Sequence, residues 1–239
     1  PSDGSSEEVN LIEQNPASVI FLTSASSDIS TLSKTLELLE DKNRDFNIRA
    51  LLLQELSHQS QIDHYLSTTC KNSKIILVRL LGGKGHWPYG IEQLKNWVNL
   101  EDNRTLIFLA GTIDQYSELN SIGNLNIVTT NLIADLLIEG GVENMKTVIK
   151  LIQTILNKKR LDNSGVQIIK SEDPLKWDWK NENFPKIGII YYNSLFKSND
   201  IDLPIYINNT LRKNSLSPRA LVVSSLNNSE KLNKVIEIF

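Results

Sequence analysis

The run Lys74-Ile75-Ile76-Leu77-Val78-Arg79-Leu80-Leu81, followed by Gly82-Gly83-Lys84-Gly85-His86-Trp87-Pro88-Tyr89-Gly90, decides the fold class. Its first half is a short, nearly continuous apolar run, the pattern of a strand covered on both faces. Beyond the glycines, Ile91, Leu94 and Val98 fall on one helical stripe. The segment therefore reads as a strand, a loop and a helix. In open α/β sheets such a loop lies at the carboxyl end of its strand, where ligands bind.

The same alternation continues on either side. Residues 19–22 and 48–53 read as earlier strands and 105–111 as a later one, with a short fifth at Asn126-Ile127-Val128-Thr129-Thr130. Ile29, Leu32, Leu36 and Leu39 recur at helical spacing behind the capping candidates Ser26, Ser27 and Asp28. A polar helix through Ile62, Tyr65 and Leu66 follows the second strand. Two helices, 131–139 and 142–157, are separated by Gly140-Gly141, where a left-handed C-cap is expected. The pattern predicts an α/β fold with a flavodoxin-like, doubly wound parallel sheet in the order 2-1-3-4-5. That order places the switch point between strands one and three, with Ser24 to Asp28 opposite the glycine-rich loop.

Residues 1–16 read as a flexible tail, 17–157 as the first domain and 158–184 as a linker. The linker tryptophans, Trp177 and Trp179, are two residues apart, which in an extended segment puts them on one face. From 185 to 239 the pattern restarts as the first βαβα part of a second α/β domain: a strand at 186–192, a helix opened near Pro204, a strand at 219–223, and a helix carrying Leu232, Val235, Ile236 and Phe239. Two strands and two helices do not bury both sheet faces. The expectation is an amino-terminal piece of a longer protein, with the second domain truncated.

The 239 residues carry 25 basic and 28 acidic side chains and no basic block, which argues against a nucleic-acid partner. No apolar run is long enough to cross a bilayer. With no signal peptide at the start, the chain reads as intracellular, in the cytoplasm. Cys70 is the lone cysteine, read as a half-buried helix residue. Three glycosylation patterns, at Asn103, Asn208 and Asn227, read as chance matches.

The glycine-rich loop invites a nucleotide or metal reading, and spacing argues against both. Gly83-Lys84-Gly85 lacks the third glycine of a dinucleotide fingerprint, and Ile91 stands where a phosphate loop has lysine. His58 and His64 share no helical face, so no protein metal cage forms. His86 is either a loop histidine bonded to backbone or a single ligand or proton carrier. Trp87 and Tyr89 either stack on a flat ligand or pack within the fold. Arg79, inside a strand, needs a carboxylate partner from the protein or from a ligand. Asp28, Glu55, Asp114 and Glu118 lie near strand ends without acid/base spacing, and Asp28 reads as a helix cap.

Several blocks in order carry a resemblance: Arg79-Leu80-Leu81-Gly82-Gly83, Trp87-Pro88-Tyr89-Gly90, Glu139-Gly140-Gly141-Val142-Glu143-Asn144, then Ile187-Gly188-Ile189-Ile190-Tyr191-Tyr192-Asn193-Ser194, Leu216-Ser217-Pro218 and Val222-Val223-Ser224-Ser225-Leu226. In register from about Val19 to Phe239, they resemble the amino-terminal region of the CobN family, the large subunits of cobaltochelatase, which is similar to the magnesium chelatase H subunit. The resemblance implies a tetrapyrrole-binding subunit that inserts cobalt into hydrogenobyrinic acid a,c-diamide in cobalamin biosynthesis. Partner AAA+ subunits, CobS and CobT, hydrolyse the ATP. It implies that the catalytic residues are outside this stretch, which alone is inactive and holds no cofactor. Arg79, His86, Trp87 and Tyr89 are then candidates to line the substrate cavity or an interface. A magnesium chelatase H subunit of chlorophyll biosynthesis and a flavodoxin-like binding module are the alternatives.

Overall fold

The computed structural model describes residues 9–39, 45–170, 173–198, 200–224, 226 and 229–239. Its first sheet holds β1 (Val19–Thr23), β2 (Ile48–Leu52), β3 (Ile75–Leu80) and β4 (Thr105–Ala110), all parallel in the order β2-β1-β3-β4. β1, β3 and most of β4 are buried on both faces, as their unbroken apolar runs require. Helices α2 (Gln59–Ser67) and α3 (Pro88–Asn99) cover one face, where Leu56, Tyr65, Leu94 and Trp97 meet Ile76, Val78 and Phe108. The opposite face packs on α1 (Ser26–Leu38), α5 (Ile127–Glu139) and α6 (Val142–Leu156), through Leu32, Ile133, Met145, Val148 and Ile152. The short α4 (Tyr116–Leu119) lies against β4.

The expected fifth strand is the start of α5. Asn126 is its N-cap, and its side chain accepts from the Thr129 N–H at 2.9 Å. Strand β4 is left as the edge, and asparagines take its outward backbone groups. Asn124 accepts from Leu106 N at 2.8 Å and donates to Arg104 O at 2.9 Å, while Asn120 accepts from Ala110 N at 2.7 Å. Side chains thus close an edge that a strand would otherwise pair. Gly123 permits the close approach, because a Cβ there lies 2.0 Å from Leu106 O.

The glycine pair after α5 also departs from expectation. Gly140 has φ +69° but ψ −167°, outside the left-handed helical region, and Gly141 follows at φ +86°. Two successive positive φ values turn the chain into α6 without a left-handed cap.

Residues 9–16, read as tail, run against α2: Gln61 donates to Asn10 O at 2.9 Å, Tyr65 to the Gln14 side chain at 2.7 Å and Thr69 to Gln14 O at 3.0 Å. Residues 1–8 of the expected tail lie outside the described residues. Cys70 is fully buried in the turn after α2, not half-buried in a helix.

The stretch read as a linker is packed. Leu161, Val166 and Ile168 lie against the α1/α5/α6 core. Asn144 pairs with the Ile169 backbone, donating to its O at 2.8 Å and accepting from its N at 2.9 Å. Within it, β5 (Leu175–Trp177) joins a second sheet, order β5-β7-β6, with β6 (Lys186–Tyr192) parallel and β5 antiparallel to β7 (Ser217–Val223). Around it lie α7 (Asn193–Lys197), α8 (Asp202–Lys213) and α9 (Ser229–Ile238).

The two tryptophans sit on opposite faces of this sheet. Trp177 stacks edge-on against Tyr191 and Phe196, with centroids 5.9 and 5.0 Å away. Trp179 packs with Leu221, Val223 and Val235, and its indole donates to Ala220 O at 2.7 Å. Asp178 between them has φ +56°, which breaks the alternation that the one-face expectation assumed. Of the stripe expected on α9, Val235 is buried, while Leu232, Ile236 and Phe239 are exposed. Asn208 is fully buried, so it is closed to glycosylation; Asn227 lies outside the described residues.

Candidate functional site

Strands β1 and β3 pair in parallel, with Thr23 level with Arg79. Their carboxyl ends form the switch point. Ser24 N donates to Arg79 O at 3.0 Å, and the Ser24 hydroxyl accepts from Leu81 N at 3.3 Å, so the start of α1 faces the glycine-rich loop. Arg79 Nη1 donates to Asp28 Oδ1 at 2.5 Å, and Thr23 donates to Asp28 Oδ2 at 2.6 Å. Both charged side chains are about nine-tenths buried, at 10% and 6% exposed.

Arg79 thus takes its carboxylate from the protein. Asp28, expected as a helix cap, lies in the first turn of α1, whose N-cap residue is Ala25. Burial pushes the Asp28 carboxyl up from its ordinary range, against the opposing pull of Arg79 and the Thr23 hydroxyl.

Arg79 lines a cleft of about 220 Å³ between the first sheet and the second unit, together with Ser27 and Thr31 of α1, Asn193, Ser194 and Lys197 of α7, and Ser224 beyond β7. Thr31 is 3.4 Å from Lys197 O, and Lys197 Nζ is 3.5 Å from Glu139 at the end of α5. Gly140, Asn193 and Lys197 also border a second space of about 320 Å³, with apolar walls from Val142, Ile169, Leu175 and Phe196. The Glu139-Gly140-Gly141-Val142-Glu143-Asn144 block borders this space over its whole length.

The other sequence candidates lie elsewhere. Arg79 shares its sheet face with Ile75 and Leu77, whereas Trp87 packs with Val78 and Leu80 on the opposite face. Trp87 is 7% exposed and donates to Leu56 O at 2.9 Å, so its ring is core. Tyr89 is half-buried beside it and donates to the Asp63 carboxylate, 2.9 Å from each oxygen. That bond raises the Tyr89 pKa above its ordinary value. His86 is exposed, with its ring over Gly82. Glu118 accepts from Lys84 N at 2.8 Å and so holds the loop. Arg79, His86, Trp87 and Tyr89 therefore do not line a common cavity. Among the described residues no group of three or more His, Cys, Asp or Glu forms a metal site, and no helix is long and apolar enough to cross a membrane.

Sequence reading found Arg79 but missed its neighbours in the cleft. Ser194, Lys197 and Ser224 come from the second unit; Ser194 and Ser224 stand in blocks that carry the CobN resemblance, but the local pattern assigns none of the three a site role.

No family model matches the chain. Over 145 residues, 60% of its length, it is 30% identical to the aerobic cobaltochelatase subunit CobN of Pseudomonas aeruginosa. This chain resembles CobN. A CobN from Sinorhizobium sp. is 31% identical over 83 residues, 34% of the chain. The chain spans 11% and 6% of the lengths of these two CobN proteins. The catalytic subunit of cobaltochelatase from Mycobacterium tuberculosis shares the fold at a TM-score of 0.58 and 14% identity, over 91% of this chain and 17% of that one. The α/β architecture with an all-parallel four-stranded sheet agrees with the structural neighbour.

Proposed function

We propose that this chain is the amino-terminal α/β region of the large subunit of an ATP-dependent cobaltochelatase, acting in the cytoplasm in cobalamin biosynthesis. The observation that carries this reading is the CobN identity over 145 residues, joined to a shared fold over 91% of the chain. Both curated relatives and the structural neighbour are named for cobalt, which favours cobalt over the magnesium branch. In this reading the substrate is hydrogenobyrinic acid a,c-diamide, and AAA+ partners of the CobS and CobT kind hydrolyse ATP. The region frames the tetrapyrrole cavity or meets those partners, while metal insertion is carried out by other parts of the subunit.

The test is cobalt insertion by a complete large subunit containing this region, with CobS, CobT and ATP, followed by the absorbance of the cobalt corrin. Removing the region is expected to lower the rate by at least about tenfold, a loss of about 1.4 kcal/mol in transition-state stabilisation. An unchanged rate refutes the reading. Faster insertion of magnesium into protoporphyrin than of cobalt into the corrin refutes the assignment to the cobalt branch.

A further inference from the structure

We propose that the cleft between the two units binds an oxyanion group, a carboxylate or a phosphate, carried on an apolar body. The carboxyl ends of two parallel strand pairs, β1/β3 and β6/β7, both supply residues to it, through Arg79 on one side and Asn193 and Ser224 on the other. Ligands of open α/β sheets sit outside such strand ends. Here two sets of ends enclose one space.

The donors in that space exceed what the protein itself uses. A guanidinium has five N–H bonds in a fixed fork. Asp28 takes only Nη1 of Arg79, while Nε is buried without a partner and Nη2 makes no hydrogen bond among the described residues. Nη2 is the end of a nine-tenths-buried side chain that lines the cleft. The start of α1 adds more donors. Its N-cap, Ala25, has no capping side chain, and the backbone N–H groups of Ser26 and Ser27 find no acceptor among the described residues. These groups carry the positive end of a 13-residue helix.

Ser27, Ser194, Lys197 and Ser224 complete the lining, although the Ser224 hydroxyl already donates to Asp173 and accepts from Lys231 at 2.6 Å. Each cation there already has a carboxylate neighbour, Lys197 with Glu139 at 3.5 Å and Arg79 with Asp28, and Asp28 is held by Thr23 as well. What remains for an oxyanion is donor capacity, the free N–H groups of Arg79 and the uncapped start of α1.

The apolar part of the ligand follows from the adjoining space. Gly140, Asn193 and Lys197 belong to both cavities, and beyond them Val142, Ile169, Leu175 and Phe196 give apolar wall beside the polar Glu139, Glu143, Asn144 and Lys170. A ligand whose oxyanion reaches Arg79 therefore has apolar wall within reach of its remaining atoms. The site stands independently of the chelatase reading, since it rests on donors and walls of this chain alone.

The test is calorimetric titration of the full chain at low ionic strength with three probes: 4-phenylbutyrate, its neutral amide, and inorganic phosphate. Saturable binding of 4-phenylbutyrate is expected, at least about tenfold tighter than the amide, as loss of a charge-assisted hydrogen bond implies. Phosphate alone is expected to compete but to bind more weakly. Phosphate binding tighter than the carboxylate would identify a phosphate head group and overturn the apolar-body half of the proposal. Lys197→Met and Ser194→Ala, which leave the Asp28–Arg79 pair in place, are each expected to weaken phenylbutyrate by about threefold or more. Arg79→Lys keeps a cation beside Asp28 and is expected to weaken it by about tenfold while circular dichroism stays unchanged. Equal affinity for acid and amide, no saturation by either anion, or full affinity in all three variants overturns the proposal.

Discussion

Replacing Gly90 by alanine reverses the usual sign of a glycine-to-alanine change in a helix. In an unobstructed helical position alanine gains up to about 1 kcal/mol over glycine. Gly90 lies in the first turn of α3, where a Cβ falls 2.2 Å from Trp87 Cε2 and 2.3 Å from Cζ2. Restoring an ordinary contact of 3.4 Å or more moves the indole by over 1 Å. That ring is 7% exposed and held by its N–H bond to Leu56 O at 2.9 Å. Overpacking costs about 1–3 kcal/mol, and a buried N–H left without its acceptor a further 1–3 kcal/mol or so. The net expectation for Gly90→Ala is a loss of about 2–4 kcal/mol, a shift of roughly 1 M in the urea midpoint for ordinary slopes. Near-UV circular dichroism is expected to change with it. The internal control is Gly85→Ala, where a Cβ meets nothing within 4 Å and the unfolding free energy is expected to stay within about 0.5 kcal/mol of the parent. A Gly90→Ala protein as stable as the parent, with its aromatic spectrum intact, refutes the placement of Trp87 in the core.

Cys70 is fully buried, and burial pushes its thiol well above the ordinary range; it is expected to be inert to an aromatic disulfide at neutral pH and to react only at the rate of unfolding, so rapid labelling of native protein refutes its burial. The Arg212 hydrogen bonds of 2.6 Å to the Asp178 carboxylate and to its backbone O anchor α8 to the β5 side of the second unit. Burial pushes Asp178 up, but Arg212 and Asn208 outweigh it and the carboxyl ends below its usual range. Its contribution is therefore complete above the unfolded value near 3.9 and is lost as pH falls through the folded value. Arg212→Gln is expected to flatten the fall of the urea midpoint between about pH 5 and 2.5, and an acid limb of unchanged slope refutes the pairing. Asn124→Ala removes both hydrogen bonds at the start of β4 and is expected to cost about 1–3 kcal/mol by urea denaturation, whereas Asn103→Ala, on an exposed turn, is expected to be neutral.

The candidate site was half legible. The strand order and the β1/β3 switch point follow from the spacing of apolar runs, and they bring the start of α1 to Arg79, 51 residues away from Asp28 in the chain. That Arg79 requires a carboxylate is plain from a charge inside a strand. Which carboxylate it takes depends on where Asp28 points, and a residue in the first turn of a helix looks the same in sequence whether it caps that helix or reaches across to a strand. The place of Lys197 and Ser224 in the cleft is not legible in the sequence for a related reason. They act only because the second unit folds back against α1 and α5.

The sequence by itself determined the four parallel strands, the helices between them and the amphipathic stripe of α6, because alternation and helical periodicity are local and survive without knowledge of neighbours. Tertiary structure decided what those patterns leave degenerate. Ile127-Val128-Thr129-Thr130 suits a strand or a helix entry. It is a helix entry in a fold where Asn120 and Asn124 occupy the β4 edge and Asn126 caps α5. Trp87 suits a ligand platform or a core. It became core because Gly90 leaves room for the ring and Leu56 offers its indole an acceptor. In each case the deciding partner is distant in sequence or lies on another element, and a backbone group or cavity exists to be filled only once the sheet is assembled.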